Sequence, residues 1–390
     1  MDIKDIRKVN MKIGIITYWS SSDNYGQQLQ CFALQNYLKG LGHDAYLIKY
    51  KPTIHISIWR KIASFIKYHI FTSSAQNVVD CSVKNENQKK TRDFVGFREK
   101  YISSTDVVYN NINELRKNPP NADVYICGSD QVWNNRLEDK NTAGWFLNFG
   151  SSKTKRLSYA ASIGRELDIK EHKIFVKYLK QFDAISVREQ KANVLCHQLG
   201  FKKSIIAIDP TLLLDSSCYS VLNNSITNQK ISSKPYAFIY LLNIRNASEI
   251  YWEEFHKIIT GDGLAIRVVA SSGYLPAKEF LLGYENYPAT IPEWLSLIRH
   301  SEYVITTSFH GVVFCLLYHK PFYAVLLNNE YSKGNDRIIS LLVNVGLESR
   351  IIKSSIDIKD VQDSNICWEE VDKRLLSLRK KSIQFLNNEL

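Results

Sequence analysis

The sequence predicts an α/β protein with two Rossmann-like, doubly wound domains that face each other across a cleft. Its 390 residues are enough for two domains of ordinary size. Short apolar runs alternate with amphipathic stretches in both halves, which is typical of mostly parallel sheets with helices on both faces. A stretch rich in Ser and Asn separates the halves and ends at Pro235, as expected for a linker.

The predicted domain organisation has five segments. They are an N-terminal extension (residues 1–10), a first Rossmann-like domain (11–215), a linker (216–235), a second Rossmann-like domain (236–360) and a C-terminal helix (361–390). Hydrophobic residues make up 45% of the chain and charged residues 23%, so each domain can bury a core of its own. The C-terminal helix is long enough to pack back across both domains.

The first domain begins with a βαβ unit. Residues 12–18 form a short apolar run, which is typical of a buried parallel strand. Residues 26–39 place Leu29 and Phe32 on one helical face, and Gly40 ends the helix. Later elements of this domain are expected as strands at residues 44–50, 123–127, 156–161, 184–187 and 204–208 and a helix at residues 189–199.

The second domain shows the same alternation of short apolar runs and amphipathic stretches. Its elements are expected as strands at residues 236–242, 264–270, 303–306 and 322–327 and helices at residues 248–259, 291–300, 311–318, 336–344 and 368–387. In open α/β sheets, ligands bind beyond the carboxyl ends of the strands. We therefore expect the functional site at those strand ends, in the cleft between the domains.

The charge of the chain indicates the class of partner. The formal net charge is +11, and such an excess of positive charge can favour binding to nucleic acid, to an anionic membrane or to anionic substrates. Lys and Arg are scattered, and no nucleic-acid-binding motif is present. We therefore predict an anionic small molecule or a lipid-linked substrate, and no nucleic-acid partner.

Several features predict a cytoplasmic protein. Residues 1–10 lack the apolar core of a signal peptide, and no apolar run reaches the roughly 18 residues that span a bilayer. Seven cysteines are dispersed without a CxxC pair, which favours reduced thiols. Residues 56–71 form an apolar and basic stripe, which either packs against its own domain or contacts the inner face of a membrane peripherally.

The loop after the first strand is a candidate anion site. It includes Asn24 and Gly26 and opens the first helix, whose N-terminal N–H groups can bind an anion. The loop matches neither the GxGxxG motif nor a P-loop, so the sequence gives little support for a dinucleotide or a nucleoside triphosphate as its ligand. The alternative is a polar connection in which Asn24 caps the helix.

A second candidate follows the strand at residues 123–127. Ser129 and Asp130 lie directly after this strand, and Trp133 comes shortly afterwards. Asp130 could take a proton from a hydroxyl or orient a sugar, and Trp133 could stack on a sugar ring. The alternative is a turn with a capping Asp130 and a packed Trp133.

Two further candidates lie at strand ends. Arg188 can hold a carboxylate or phosphate through two parallel hydrogen bonds, or it can form a surface pair with Glu189. His310 and Gly311 begin a largely apolar helix. The positive end of a helix disfavours a protonated imidazole, whereas a bound anion favours it. This balance suits a general acid that is tuned by its substrate.

No His or Cys spacing suits a metal, so we predict a metal-independent reaction without a cofactor.

Taken in order, several segments carry a family resemblance. They include Gly128-Ser-Asp-Gln-Val-Trp-Asn134, Ile185-Ser-Val-Arg-Glu189, Asp209-Pro-Thr-Leu212, Thr307-Ser-Phe-His-Gly311, and residues 12–17, 24–35, 159–164, 320–322 and 337–342. Together they resemble the polysaccharide pyruvyl transferase family over about residues 11–352.

This resemblance implies a fold like that of the GT-B glycosyltransferases. It also implies phosphoenolpyruvate as the donor, a saccharide as the acceptor, and a role in cell-surface or exopolysaccharide biosynthesis. By the same resemblance Arg188 anchors the donor and His310 is the acid, whereas Asp130 as the base is our own inference. The predicted substrate-binding residues are Arg188, Ser308, Asn24, Gly26, Ser129, Trp133, Gly311 and Arg337.

One position departs from the family pattern. The family has Arg-x-His, whereas this chain has Ser308 two residues before His310 and so resembles a Ser-Phe-His-Gly sub-branch. Arg337, Lys333 and Arg165 are candidates for the missing cation. Two alternatives therefore stay open: a glycosyltransferase of the same fold that uses a nucleotide sugar, and a non-catalytic protein that binds a saccharide or another partner.

Overall fold

The first domain contains a six-stranded sheet in which every strand pair is parallel. The structure is a computed structural model that describes residues 10–53, 92–223, 234–244, 246–270, 285–286, 288–329, 331–362 and 364–390. The strands are β1 (Lys12–Ile16), β2 (Asp44–Leu47), β3 (Val124–Cys127), β4 (Lys155–Ala161), β5 (Ala184–Val187) and β6 (Ile205–Ile206), in the order β2-β1-β3-β4-β5-β6. The order reverses direction between β1 and β3, which is where doubly wound sheets place their ligands.

Helices cover this sheet on both faces, because most strand residues are buried and apolar. The helices of the first domain are α1 (Tyr25–Gly40), α2 (Phe94–Tyr101), α3 (Ile112–Lys117), α4 (Thr142–Trp145), α5 (Ile169–Leu179) and α6 (Gln190–Gln198), and the short helix α7 (Ser220–Asn223) lies in the linker. The predicted linker begins as a 3₁₀ turn at Ser216–Tyr219, which is followed by α7.

The second domain repeats the architecture with a second six-stranded parallel sheet. Its strands are β7 (Tyr236–Leu241), β8 (Ala265–Ala270), β9 (Glu285–Asn286), β10 (Tyr303–Thr306), β11 (Phe322–Val325) and β12 (Ile351–Ile352), in the order β12-β11-β10-β7-β8-β9. Its helices are α8 (Trp252–Gly261), α9 (Ile291–His300), α10 (Phe309–Leu317), α11 (Asn335–Val345), α12 (Ser355–Gln362) and α13 (Trp368–Glu389).

Two predicted helices differ from the observed ones in ways that have a local cause. The helix expected at residues 248–259 is divided into a 3₁₀ turn at Ala247–Ile250 and helix α8, because Tyr251 adopts a left-handed backbone conformation with φ of 56°. Helix α10 begins two residues earlier than expected, at Phe309, because the Ser308 side chain caps it.

The two domains share apolar packing at the start of α1. The ring of Tyr25 stacks on Trp294 of the second domain with centroids 5.1 Å apart, and its hydroxyl donates to the carbonyl of Ala289 at 2.6 Å. Because Tyr25 is fully buried, this contact fixes the N-terminus of α1 against the second domain.

The C-terminal helix α13 contacts both domains. On one side, Arg379 donates to the carbonyl of Leu212 at 2.8 Å and pairs with Asp215 at 2.6 Å. On the other side, Trp368 stacks on the ring of His319, which also lies 2.9 Å from Asp372. The helix therefore bridges the two domains.

Three sequence predictions fall wholly or partly outside the described residues. They are the extension at 1–10, except its last residue, the basic stripe at 56–71 and the part of the linker at 224–233. In the described part of the chain, no helix is both long and apolar enough to cross a membrane. Six cysteines lie in that part, and all of them are free thiols.

Candidate active site

Side chains from both domains converge on the buried carboxylate of Asp209. Ser129 follows β3, Arg188 follows β5 and His310 lies in the first turn of α10, after β10. At the Oδ2 atom of Asp209, the Ser129 hydroxyl and the Arg188 Nη2 each lie at 3.2 Å, and the His310 Nε2 lies at 3.5 Å. The carboxyl ends of strands in two separate sheets thus meet at one side chain, as the switch-point rule predicts for a ligand site.

Asp209 lies at the centre of this cluster but is not among the site residues predicted from the sequence. Its other oxygen, Oδ1, accepts hydrogen bonds from the backbone N–H and hydroxyl of Thr211 at 3.0 and 2.6 Å. Burial acts to raise the pKa of Asp209, but Arg188 and then His310 outweigh it and hold the pKa below its ordinary value. An Asp before Pro210 is locally typical of a turn cap, and its place after β6 and its position within a segment of the family resemblance were the signals that pointed to the site.

Two arginines lie beside the ring of Phe309. The guanidinium carbon of Arg188 is 4.9 Å from the ring centroid, and that of Arg337 is 5.7 Å from it. Within the described residues, the buried Nε and Nη1 of Arg188 and the Nε of Arg337 have no hydrogen-bond partner. Burial, followed by the charge of Arg188, lowers the pKa of Arg337. A bound anion would compensate these two like charges and accept hydrogen bonds from the unused donors.

His310 lies between the N-termini of α1 and α10. The Ser308 hydroxyl accepts the Gly311 N–H at 3.2 Å and caps α10, and the Asn24 carboxamide caps α1 by accepting from Gln27 at 3.1 Å. A methyl group on Gly26 would lie 1.9 Å from the Nδ1 of His310, so the two helix ends are in direct contact there. Gly26 is therefore needed so that His310 can occupy this position.

We expect Gly26→Ala to destabilise the protein by about 1–3 kcal/mol, because the added methyl group overpacks the site and displaces His310. Gly40→Ala is the matched control in the same helix, since a methyl group there has no atom within 4 Å. Urea unfolding of both variants measures the difference. Equal stability of the two variants would show that His310 moves aside at no cost.

The structure corrects the predicted role of Trp133. Its side chain is fully buried, with its ring stacked on Phe146 at 5.2 Å and with Phe175 and Phe182 against it edge-on. The indole N–H donates to the carbonyl of Trp145 at 3.2 Å. Because no face of the ring is open, Trp133 belongs to the core of the first domain and cannot stack on a sugar.

Asp130 lies at the edge of the site rather than at its centre. Its Oδ1 accepts the N–H of Gln131 at 2.8 Å and lies 4.0 Å from the Nη1 of Arg337. Its backbone has a φ of 70°, which is unusual for a residue with a side chain.

The remaining predicted residues are placed as follows. Gly311 packs on Thr306, where a methyl group would lie 2.5 Å from the threonine hydroxyl. Arg165 forms a bidentate pair with Glu171 at 2.6 and 2.7 Å, so its guanidinium is already engaged. Lys333 is exposed and lines a pocket beside the site. Arg337 is thus the candidate cation that reaches the site with a donor unused.

The pocket beside the site lies between the domains and has a volume of about 430 Å³. The first domain contributes residues 163–167, Glu189, Lys191, Ala192 and Leu195, and the second contributes Ser332, Lys333, Asp336 and Arg337. A salt bridge of 2.8 Å between Lys191 and Asp336 joins the two domains at this pocket. Among the side chains that the structure describes, no group of three or more His, Cys, Asp or Glu could hold a metal ion.

Comparison with known proteins gives a family and a fold. A family model described as polysaccharide pyruvyl transferase matches residues 24–329. A search of curated proteins found no match. Among solved structures, the chain is similar to the UDP-N-acetylglucosamine 2-epimerase from Rickettsia bellii, with 10% identity, a TM-score of 0.51 and coverage of 97% of this chain and 96% of that chain.

Two more solved structures have the same overall fold. The S. aureus MnaA–UDP co-structure is 11% identical with a TM-score of 0.52, and the match covers 94% of this chain and 90% of that one. A putative UDP-N-acetylglucosamine 2-epimerase from Listeria monocytogenes is 10% identical with a TM-score of 0.52, covering 94% and 91% of the two chains. These likenesses confirm the predicted GT-B-like fold of two Rossmann-like domains.

Proposed function

Because the chain belongs to the polysaccharide pyruvyl transferase family and is thus a transferase, we propose that it transfers a pyruvyl group from phosphoenolpyruvate to a saccharide. The observation that carries this proposal is the pair of arginines at Phe309 with unused, buried N–H groups. Phosphoenolpyruvate carries a carboxylate and a phosphate, and each suits the planar fork of a guanidinium. The donor would therefore occupy the space that Arg188 and Arg337 share.

We assign to His310 the role of general acid in this reaction. Two acceptor hydroxyls would form bonds to the enol carbon of the donor, and the bond from that carbon to the phosphate oxygen would break. The methylene carbon would take one proton to become a methyl group, and inorganic phosphate would leave with the other proton. We assign the first of these protons to His310, which lies 3.5 Å from the ionised Asp209. The arginines supply the positive charge, so the proposal needs no metal.

The position of Ser308 bears on how the donor is held. The family pattern has an arginine there, whereas Ser308 caps α10 and supplies no charge. We propose that Arg337 of α11 is the second cation, because it lies beside the ring of Phe309 as Arg188 does. The Ser-Phe-His-Gly sub-branch would then keep the donor but take one of its two cations from a different element.

Asp130 remains a candidate for the base, on the strength of its position near Arg337. The role in cell-surface or exopolysaccharide biosynthesis remains a proposal from the family resemblance of the sequence. A lipid-linked acceptor and membrane contact through residues 56–71 remain proposals from the sequence.

Calorimetry with phosphoenolpyruvate tests the assignment of Arg337. We expect the wild-type protein to bind phosphoenolpyruvate and Arg337→Ala to weaken binding about 10- to 100-fold, which is the scale of a lost charged hydrogen bond. Arg374→Ala is the control for charge, because that side chain is exposed and pairs with Glu370 away from the site.

Two results would contradict this proposal. Binding of UDP-N-acetylglucosamine in place of phosphoenolpyruvate would favour a glycosyltransferase that uses nucleotide sugars. Binding of neither ligand would favour the non-catalytic alternative, in which the fold is kept and the donor site is lost.

A further inference from the structure

Glu189 has a buried carboxylate oxygen that the site described above does not use. The residue is 6% exposed and follows Arg188 directly in sequence. Its Oε1 accepts a hydrogen bond from the Ser162 hydroxyl, whereas its Oε2 has no partner among the described residues. A buried acceptor without a partner is costly, so a ligand that donates a hydrogen bond would be favoured there.

Glu189 is one of the residues that line the pocket of about 430 Å³ between the domains. That volume lies within the roughly 300–1,000 Å³ of ordinary small-molecule sites. Its lining includes charged and polar side chains from both domains, among them Lys191, Ser332 and Lys333. Sugar hydroxyls are the ligand groups that such a lining can bind through many hydrogen bonds.

The pocket adjoins the proposed donor site through Arg337. Arg337 is one of the residues that line the pocket, and its guanidinium carbon lies 5.7 Å from the centroid of the Phe309 ring, beside which Arg188 also lies. A ligand in the pocket would therefore be next to an anion held by the two arginines. Burial raises the pKa of Glu189, and Arg188, Ser162 and Arg337 oppose that change. A carboxylate with a raised pKa is a stronger base than an ordinary one.

We propose that this pocket binds the saccharide acceptor and that Glu189, rather than Asp130, is the base. Glu189 takes the proton of one acceptor hydroxyl while the oxygen of that hydroxyl bonds to the enol carbon of the donor. His310 protonates the methylene carbon. The second hydroxyl bonds to the same carbon as the bond to phosphate breaks, and its proton leaves with the phosphate. Asp130 suits this role less well, because it lies outside the described lining of the pocket.

This inference rests on the proposed function, and the test separates the two. Phosphoenolpyruvate binding is measured alone by calorimetry. Saturation-transfer NMR then measures binding of methyl glycosides of galactose, mannose, glucose and N-acetylglucosamine with phosphoenolpyruvate present. We expect at least one glycoside to bind. Ser332→Trp should abolish glycoside binding by filling the pocket and leave phosphoenolpyruvate binding intact. Ile356→Trp, at a site that is 75% exposed, is the control for an added indole.

The role of Glu189 is tested with the glycoside that binds, through release of phosphate from phosphoenolpyruvate. Glu189→Gln keeps the shape of the side chain, and we expect it to reduce turnover more than about 100-fold, the scale of lost general-base catalysis. Asp130→Asn should cause a smaller loss. The acceptor proposal fails if no glycoside binds, if binding survives Ser332→Trp, or if Asp130→Asn costs more turnover than Glu189→Gln. If phosphoenolpyruvate itself does not bind, that result counts against the proposed function instead.

Discussion

Arg188→Ala is expected to abolish measurable phosphoenolpyruvate binding and to destabilise the protein. The substitution removes the cation that pairs with the buried Asp209 at 3.2 Å, together with two buried donors that are free for a ligand. Removal of one partner of a buried ion pair typically costs about 3–5 kcal/mol, because the other charge is left uncompensated. Arg188→Ala should therefore lower the free energy of unfolding as well as the affinity for the donor.

The loss of stability should depend on pH. Arg188 holds the pKa of Asp209 below its ordinary value, so the ion pair stabilises the folded state above the unfolded pKa of about 3.9 and loses this effect as pH falls through the folded pKa. Without Arg188, the unpaired carboxylate destabilises the fold most when it is ionised. We therefore expect the difference in unfolding free energy between wild type and variant to be largest near neutral pH.

Urea unfolding at several pH values, together with calorimetry, measures both effects of Arg188→Ala. Arg188→Lys is an informative second variant, since it retains the charge but cannot form two parallel hydrogen bonds. It should recover much of the stability and little of the donor affinity. Tight binding of phosphoenolpyruvate to Arg188→Ala would show that the donor site lies elsewhere.

The second large effect is expected for His310→Ala. This change should reduce turnover more than about 100-fold, the usual scale for a lost general acid. Donor affinity should change much less than in Arg188→Ala, because the unused donors of Arg188 and Arg337 are still present. The loss of stability should also be smaller, because Asp209 keeps its contacts with Arg188, Ser129 and Thr211.

Phosphate release in the presence of an acceptor that binds, measured alongside calorimetry, separates these effects of His310→Ala. A large loss of turnover with donor affinity preserved is the expected pattern for a group that acts on the reacting atoms. Full turnover in this variant would remove His310 from the mechanism. Loss of donor binding alone would make it a binding residue.

Much of the fold could be predicted from the sequence for a simple reason. Strands of a parallel sheet are buried on both faces, so β1 and β3 appear as short apolar runs that local reading detects. Strand ends are then visible as changes from apolar to polar residues, which is why Arg188 and His310 could be assigned to the site. The family resemblance depended on the order of short motifs, and the match over residues 24–329 confirms it.

Local patterns were insufficient where a residue has two plausible roles. Trp133 follows a strand end as a sugar-binding residue could, yet its ring is enclosed by Phe146, Phe175 and Phe182. The structure likewise shows Asn24 to be a helix cap, the alternative that the sequence left open. Such choices depend on which distant side chains fill the surrounding space, and one segment of sequence does not contain that information.

The sequence by itself determined the two-domain α/β fold, the family, and the strand ends at which polar chemistry is concentrated. Only the tertiary structure decided that Asp209 joins Arg188 to His310, and that Glu189 keeps an unpaired oxygen in a pocket between the domains. The reason is physical. Hydrophobic periodicity depends on near neighbours, whereas burial and the pairing of charges depend on contacts between residues that can lie far apart in the chain, such as His310 and Asp209.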